Sequence, residues 1–245
     1  VAEQLPAGDV SNIDFTMDMP RGAIVPGVPL EQDMLSLTFD IDNATAIYVP
    51  GMTPLTHARG HGQLRGNSFH LTTDRARVGT VSVPSGEVDI PAFMPAGQPA
   101  YFRASLAGDL ADILGIIDEE PLRFMEQGGF APERFSGTGT FEFELMRPQL
   151  LEVPPEDYRF DGTGTFDHVT ITDMAAGQDL ENASGTLSVT SDGMEVAGAA
   201  LVAGLPIDYV WSRTFEEVPK IVLRADGEID SRVADGLGMS LRRDL

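Results

Sequence analysis

Cysteine is absent from this chain. That excludes structural disulfides, cysteine-ligated zinc and a thiolate nucleophile, and it suits an oxidising compartment where stray thiols are a liability. Lysine is nearly absent too. Lys220 is the single one, and 16 basic residues face 38 acidic ones, for a net charge of −22. Phosphate backbones are gripped by clustered Lys and Arg, so nucleic acid is not an expected partner. The same imbalance opposes electrostatic docking on anionic membranes and favours solubility. No apolar run reaches the length of a helical membrane span. No basic-then-apolar leader opens the sequence, which starts at Val1 without an initiator methionine. The expectation is a portion of something longer, with any membrane anchor lying outside it.

What the chain does have is a repeat. Phe135-Ser136-Gly137-Thr138-Gly139-Thr140-Phe141 returns as Phe160-Asp161-Gly162-Thr163-Gly164-Thr165-Phe166, and a looser copy follows at Asn182-Ala183-Ser184-Gly185-Thr186-Leu187. Such self-similarity marks one structural unit laid down repeatedly. Phe135, Gly137, Gly139, Phe141, Phe143 and Leu145 fall on one side of an alternating strand, and Ser136, Thr138, Thr140, Glu142 and Glu144 on the other. A period of two is the signature of a half-buried strand. Paired glycines inside it mark a bend or a close approach of another backbone or a ligand.

Along the chain, residues 1–34 are rich in proline and glycine and read as incoming loop, with an edge strand at Ile13-Asp14-Phe15-Thr16-Met17. Leu35-Ser36-Leu37-Thr38-Phe39-Asp40-Ile41-Asp42 is the cleanest alternating strand, ended by Asn43, with a further short strand at 46–49 and a turn at 52–55. Strands are expected at 59–64, 68–73, 75–83 and 86–90, separated by turns at 65–68, Thr73-Asp74 and Pro84-Ser85-Gly86. Short connections of this kind give an antiparallel meander. After a strand at 101–108, Leu110, Ile113, Leu114 and Ile117 place one apolar stripe on a helix with Asp109 as N-cap, and a second helical stretch is expected at 122–127. Longer strands follow at 133–146, 158–171, 183–190, 194–202, 207–215 and 220–229, with a closing helical turn at 231–237. The expected fold is mainly β: an extended, curved antiparallel sheet of repeated hairpins, groove-like or an open sandwich, with one or two short helices around 109–127. The expected organisation is a leading segment 1–34, a repeated-hairpin domain 35–230 with a helical insert near 109–130, and a tail 231–245.

Signals for chemistry are weak. His57 and His61 have a metal-binding spacing only on a helix, and Pro54, Gly60 and Gly62 argue against one. Asp40, Asp42 and Asn43 lack the glycine and glutamate of a calcium loop. Glu142 and Glu144 share a strand side, as a glycosidase pair would, yet they alternate with Phe141 and Phe143 like any solvated sheet face. No Gly-x-Ser-x-Gly element is present. Gly60-His61-Gly62 and Gly137-Thr138-Gly139 lack the strand-to-helix setting of a phosphate loop. No enzyme activity, metal or cofactor is expected.

One resemblance remains. Glycine-punctuated hairpins run into Ser105-Leu106-Ala107-Gly108-Asp109-Leu110-Ala111-Asp112-Ile113-Leu114, then the two Gly-Thr repeats, then Gln178-Asp179-Leu180-Glu181-Asn182, Gly193-Met194-Glu195-Val196-Ala197-Gly198 and Gly204-Leu205-Pro206-Ile207-Asp208-Tyr209. In that order, over roughly 35–229, the chain resembles the AsmA-like superfamily, most of all its YhdP-type branch. The resemblance implies a periplasmic protein tethered to the inner membrane by segments outside this chain. It also implies a curled sheet whose apolar interior carries phospholipid acyl chains toward the outer membrane, with other envelope proteins as further partners. The groove candidates are the apolar positions of the alternating strands: Leu37, Phe39, Ile41, Phe69, Leu71, Phe141, Phe143, Leu145, Val196, Tyr209 and Trp211. The rival expectation is a structural or protein-interaction domain in which these side chains pack into a closed core. A third, a carbohydrate-active sandwich, requires a cleft with two carboxylates and exposed aromatics.

Overall fold

The structure is a computed structural model, and it describes residues 7–47, 51–120, 125, 130–150, 153–154, 157–175, 177–216 and 218–227. The fold is mainly β. Twelve strands form one antiparallel sheet in strict sequence order: β1 (Ala7–Met17), β2 (Leu35–Ala46), β3 (Leu55–Arg65), β4 (Ser68–Val78), β5 (Val81–Ile90), β6 (Pro99–Asp109), β7 (Phe135–Pro148), β8 (Arg159–Ala175), β9 (Gln178–Thr190), β10 (Gly193–Val202), β11 (Leu205–Thr214) and β12 (Ile221–Gly227). Each short connection returns the chain beside the strand it has just left, which is why the order never crosses. The helix α1 (Leu110–Ile117) follows β6, and a 3-10 turn at Pro132–Arg134 leads into β7. Of the helical stretch expected at 122–127 only Met125 is described, and it is helical; the closing turn at 231–237 and half of the strand at 46–49 lie outside the described residues.

Several strands run longer than their sequence pattern suggests. Thr73-Asp74 and Pro84-Ser85-Gly86, expected as turns, sit inside β4 and β5, and Asn43, expected to end its strand, sits inside β2. The hairpin turn between β4 and β5 falls at Gly79-Thr80 instead. At Asn43 and at Thr73-Asp74 the pairing register slips: between Ile41 and Ala44 on β2, and between Arg59 and Gly60 where β3 meets β4, whereas β5 pairs with β4 in one unbroken register through Pro84-Ser85-Gly86. Asn12, Asn43, His57, His168, Asp173 and Asn182 all have left-handed backbone, with φ near +50°. At Asn12, Asn43, His57 and Asn182 the pairing register also shifts, as a bulge requires, with one extra residue in a strand that reverses which side the following residues face. The apolar pattern reverses with it: Ile41 is followed by Ala44, Phe166 by Val169, and Leu180 by Ala183. Short polar side chains tolerate this conformation better than others, so polarity that reads as a turn is here a bulge.

The backbone divides into two compact units, residues 1–106 with 142–161 and residues 107–141 with 162–245. In the first unit the fully buried residues are small: Ala44, Ala58, Ala76, Val78, Val81, Val83 and Ala100, together with Met52. In the second unit, α1 lays Leu110 and Ile113 inward, and Leu110 joins a core with Val169, Leu180, Ala183 and Ala200. Phe135, Phe141, Phe166, Ile171, Met174, Val202, Ile207 and Tyr209 pack around that core. Asp109 occupies the helix N-cap with extended backbone but makes no side-chain capping bond. The helix ends where the Asp118 N–H donates to the Leu114 and Gly115 carbonyls.

Candidate functional site

Register decides which residues share a side of the sheet. Residues directly opposed across an antiparallel pair project to the same side. In the first unit this builds a row from Phe15 through Leu37, Leu64 and Phe69 to Ile90. The next row runs from Phe39 through Gly62 and Leu71 to Val88, and a third from Val10 through Ile41, Gly60 and Thr73 to Gly86. Leu37, Phe39, Ile41, Phe69 and Leu71 are thereby brought onto one continuous apolar surface.

That surface is only half covered. Leu37, Phe39, Ile41, Leu64, Phe69, Leu71, Val88 and Ile90 are all half-buried, and on the edge strand Phe15 is 57% exposed and Ile13 62%. No large side chain of these rows is fully buried. Where Gly62 and Phe39 are opposed, the ring lies over the glycine: a Cβ built on Gly62 would stand 2.3 Å from the ring tip. The same arrangement places Phe141 over Gly164 and Phe166 over Gly185 in the second unit. The Gly-Thr repeat thus uses its glycines as seats for neighbouring rings.

The other side of the first unit is polar. Ser11, Asp40, His61, Thr72 and Glu87 form one row. The His61 Nδ1 lies 2.7 Å from Asp40 Oδ1, and Asn12 donates to the same carboxylate at 2.6 Å. These two hydrogen bonds, Asn12's first, hold the Asp40 carboxyl below its ordinary range. Arg103 joins Glu144 and Glu87 and lies 5.5 Å from the Tyr101 ring centre. Its hydrogen bond to Glu144 is the main reason its pKa is raised. Glu144 is therefore committed to an arginine, which leaves it poorly suited to pair with Glu142 as acid and base. His57 and His61 both lie on β3, and His57 occupies a bulge. Among the described residues no group of three His, Cys, Asp or Glu is placed to hold a metal.

Of the remaining groove candidates, Phe143 and Leu145 lie on the part of β7 that belongs to the first unit, with Phe143 40% exposed. Phe141, Val196, Tyr209 and Trp211 belong to the second unit. There Leu187, Val196, Trp211 and Leu223 form one row, and Gly185, Gly198, Tyr209 and Ala225 the next. Tyr209 and Phe141 border the core beneath α1, and burial raises the Tyr209 pKa. Val196 and Trp211 stand outside that core and are half-buried, while Leu223 is 63% exposed. One row further, Met194, Arg213 and Ile221 are opposed, and the Arg213 Nε is enclosed without a hydrogen-bond partner. An open depression of about 350 Å³ in this unit is lined by Ala107, Gly108, Thr138, Gly139, Thr140, Thr165, Phe166 and Asp167. It offers hydroxyls and one carboxylate but no second acid or base.

Sequence reading missed Phe15, Leu64, Val88, Ile90, Leu187 and Leu223 as members of these rows. The alternation around Val88 and Ile90 was visible, but partners across strands require register, which a strand's own sequence does not state.

Comparison of the chain with family models, with characterised proteins and with solved structures finds no match.

Proposed function

We propose that the apolar face is a seat for lipid acyl chains and that the protein is a non-enzymatic lipid-binding or lipid-conducting component of a bacterial envelope. The observation that carries this reading is the half-exposed surface of Leu37, Phe39, Ile41, Leu64, Phe69, Leu71, Val88 and Ile90, several strands wide in the first unit. An apolar sheet face needs a second layer or a ligand. Exposed surfaces of this kind mark binding sites. An acyl chain laid along it gains about 0.8 kcal/mol for every methylene it buries. Flexible chains suit a broad, unpocketed surface, whereas a polar metabolite would need convergent hydrogen-bond groups that the face lacks. The resemblance to AsmA-like proteins points the same way and suggests a periplasmic setting, with phospholipid as the cargo and attachment to the inner membrane through other segments.

Native mass spectrometry of the protein expressed in a bacterial envelope tests this. Adducts with phospholipid masses are expected, and a clean apo mass at high sensitivity would overturn the reading. The second unit favours a second one. Leu110, Val169, Leu180, Ala183 and Ala200 close a core of the protein's own side chains under α1, as a purely structural domain would.

A further inference from the structure

We propose that β12 of one copy pairs antiparallel with β1 of the next, so that the protein associates head-to-tail through the two edges of its own sheet. The contact is independent of the acyl-chain reading above.

The outermost strand of an open sheet keeps one row of backbone N–H and C=O groups unpaired, and that row is a template for a further strand. Among the described residues β1 pairs with β2 alone and β12 with β11 alone, at the two ends of the strand order. Soluble proteins blunt such edges with lysines or prolines, and neither strand contains either. Both edges also leave large apolar side chains in water. Phe15 and Met17 are 57% and 59% exposed, and Ile221 and Leu223 59% and 63%.

The two edges fit each other. Phe15 and Met17 lie on the side of Leu37 and Leu35, and Leu223 lies on the side of Trp211. With Leu223 placed opposite Phe15, Ile221 meets Met17 and the apolar sides join. On the other side Arg224 meets Asp14, Val222 meets Thr16, and Lys220, the single lysine, meets Asp18. Asp18 and Lys220 are held in line with their strands. The Asp18 N–H donates to the Met34 carbonyl and the Thr214 N–H to the Lys220 carbonyl, each at 3.0 Å. Asp14, Asp18, Lys220 and Arg224 are all exposed, and none makes an ion pair with another described residue.

Charge selects both the register and the partner. Sliding the pair by two residues one way sets Asp226 opposite Asp14, and the other way sets Arg224 opposite Asn12. Like charges directly opposed across strands are destabilising, and opposite ones are favourable. A β1-to-β1 contact would bring only carboxylates together. A β12-to-β12 contact that pairs Arg224 with Asp226 sets Leu223 against Gly227 instead of an apolar side chain. Two chains of net charge −22 repel at long range, so association needs salt. The opposed ion pairs act well inside the screening length of about 8 Å at 0.15 M. Because the two edges differ, each added copy leaves one β1 and one β12 free, and assembly does not stop at a dimer.

The absence of native cysteine makes single cysteines clean reporters. Thr16→Cys and Val222→Cys chains are mixed at physiological salt under mild oxidation. Opposed Cβ atoms of an antiparallel pair lie about 4.5–5.5 Å apart, within reach of a disulfide after a small shift. A disulfide-linked dimer of the two variants is expected in clear excess over dimers of either variant alone. It is also expected in excess over a mixture of Thr16→Cys with Ser82→Cys, an exposed position on β5 away from both edges. In sedimentation velocity the mean mass of the wild-type chain is expected to rise with concentration. Arg224→Asp is expected to weaken that association at least about fivefold, and Asp14→Arg in the same chain to restore it. Damage to β12 alone would not be repaired by a change on β1. The proposal is overturned by a wild-type chain that stays monomeric at its highest soluble concentration. Equal cross-linking in the single-variant or Ser82→Cys samples, no cross-link at all, or no rescue by the double reversal overturns it as well.

Discussion

The ring of Phe39 occupies the space that a side chain on Gly62 would need, one strand away and directly in register. Gly62→Ala forces the ring or the strand to move, and overpacking of this kind costs about 1–3 kcal/mol. Chemical denaturation of the variant reads that loss. Phe39→Leu in the same chain is expected to recover part of it, because the smaller side chain clears the new methyl. An unchanged unfolding midpoint in Gly62→Ala would show that the ring is not seated there.

Asp40 gives the polar side a definite pH response. Hydrogen bonds from Asn12 and His61 lower its pKa in the folded chain relative to the ordinary 3.8. A carboxyl so lowered contributes stability above 3.8, and that contribution is lost as pH falls through the folded value. Asn12→Gly keeps the left-handed backbone while removing the first hydrogen bond. Carboxyl NMR titration is expected to show Asp40 shifting upward in that variant, and the stability difference from wild type is expected to vanish in strong acid.

The apolar face makes a prediction that separates binding from folding. Leu71 and Phe69 are half-buried, so Leu71→Asp or Phe69→Asp places a carboxylate on the surface without burying it fully. Bound phospholipid in native mass spectra is expected to fall at least about tenfold, since a charge in an apolar seat is costly. Circular dichroism is expected to stay unchanged. Retained lipid in both variants would move the seat elsewhere.

Tyr209 reports on the second unit. Burial disfavours its phenolate and raises its pKa above 10.0. An unfolded tyrosine ionises at its ordinary value, so folded stability is expected to decline as pH climbs past 10.0. Ultraviolet titration of wild type against Tyr209→Phe isolates this group, and removal of the late-ionising component is the expected result.

Much of this architecture is legible in the residues themselves. Leu35–Ala46 alternates cleanly enough to announce a strand, and the stripe of Leu110, Ile113, Leu114 and Ile117 announces the helix. The Gly-Thr repeats announce paired strands, β7 and β8. Two of the errors fall where polar residues sit at a register shift inside a strand. Asn43 and Thr73-Asp74 have the composition of turns, and only neighbouring strands hold them in the sheet as bulges. The candidate site was legible as a set of apolar positions but not as rows. Phe15 and Ile90 enter the surface only through four successive strand pairings. The division of β7 between two units, with Phe141 in one and Phe143 in the other, has no mark in the alternation that joins them.

The inserted residues also set a reading frame for the sheet. Deleting Asn43 would shorten β2 by a single position, yet it would rotate Ala44 and Ala46 out of the protein and bring Thr45 in. The same holds for His57 on β3 and Asn182 on β9, beside Ala58 and Ala183. In such a chain, lengthening or trimming by one residue is tolerated only in matched pairs within a strand, so that inheritance of the fold depends on counting as much as on chemistry.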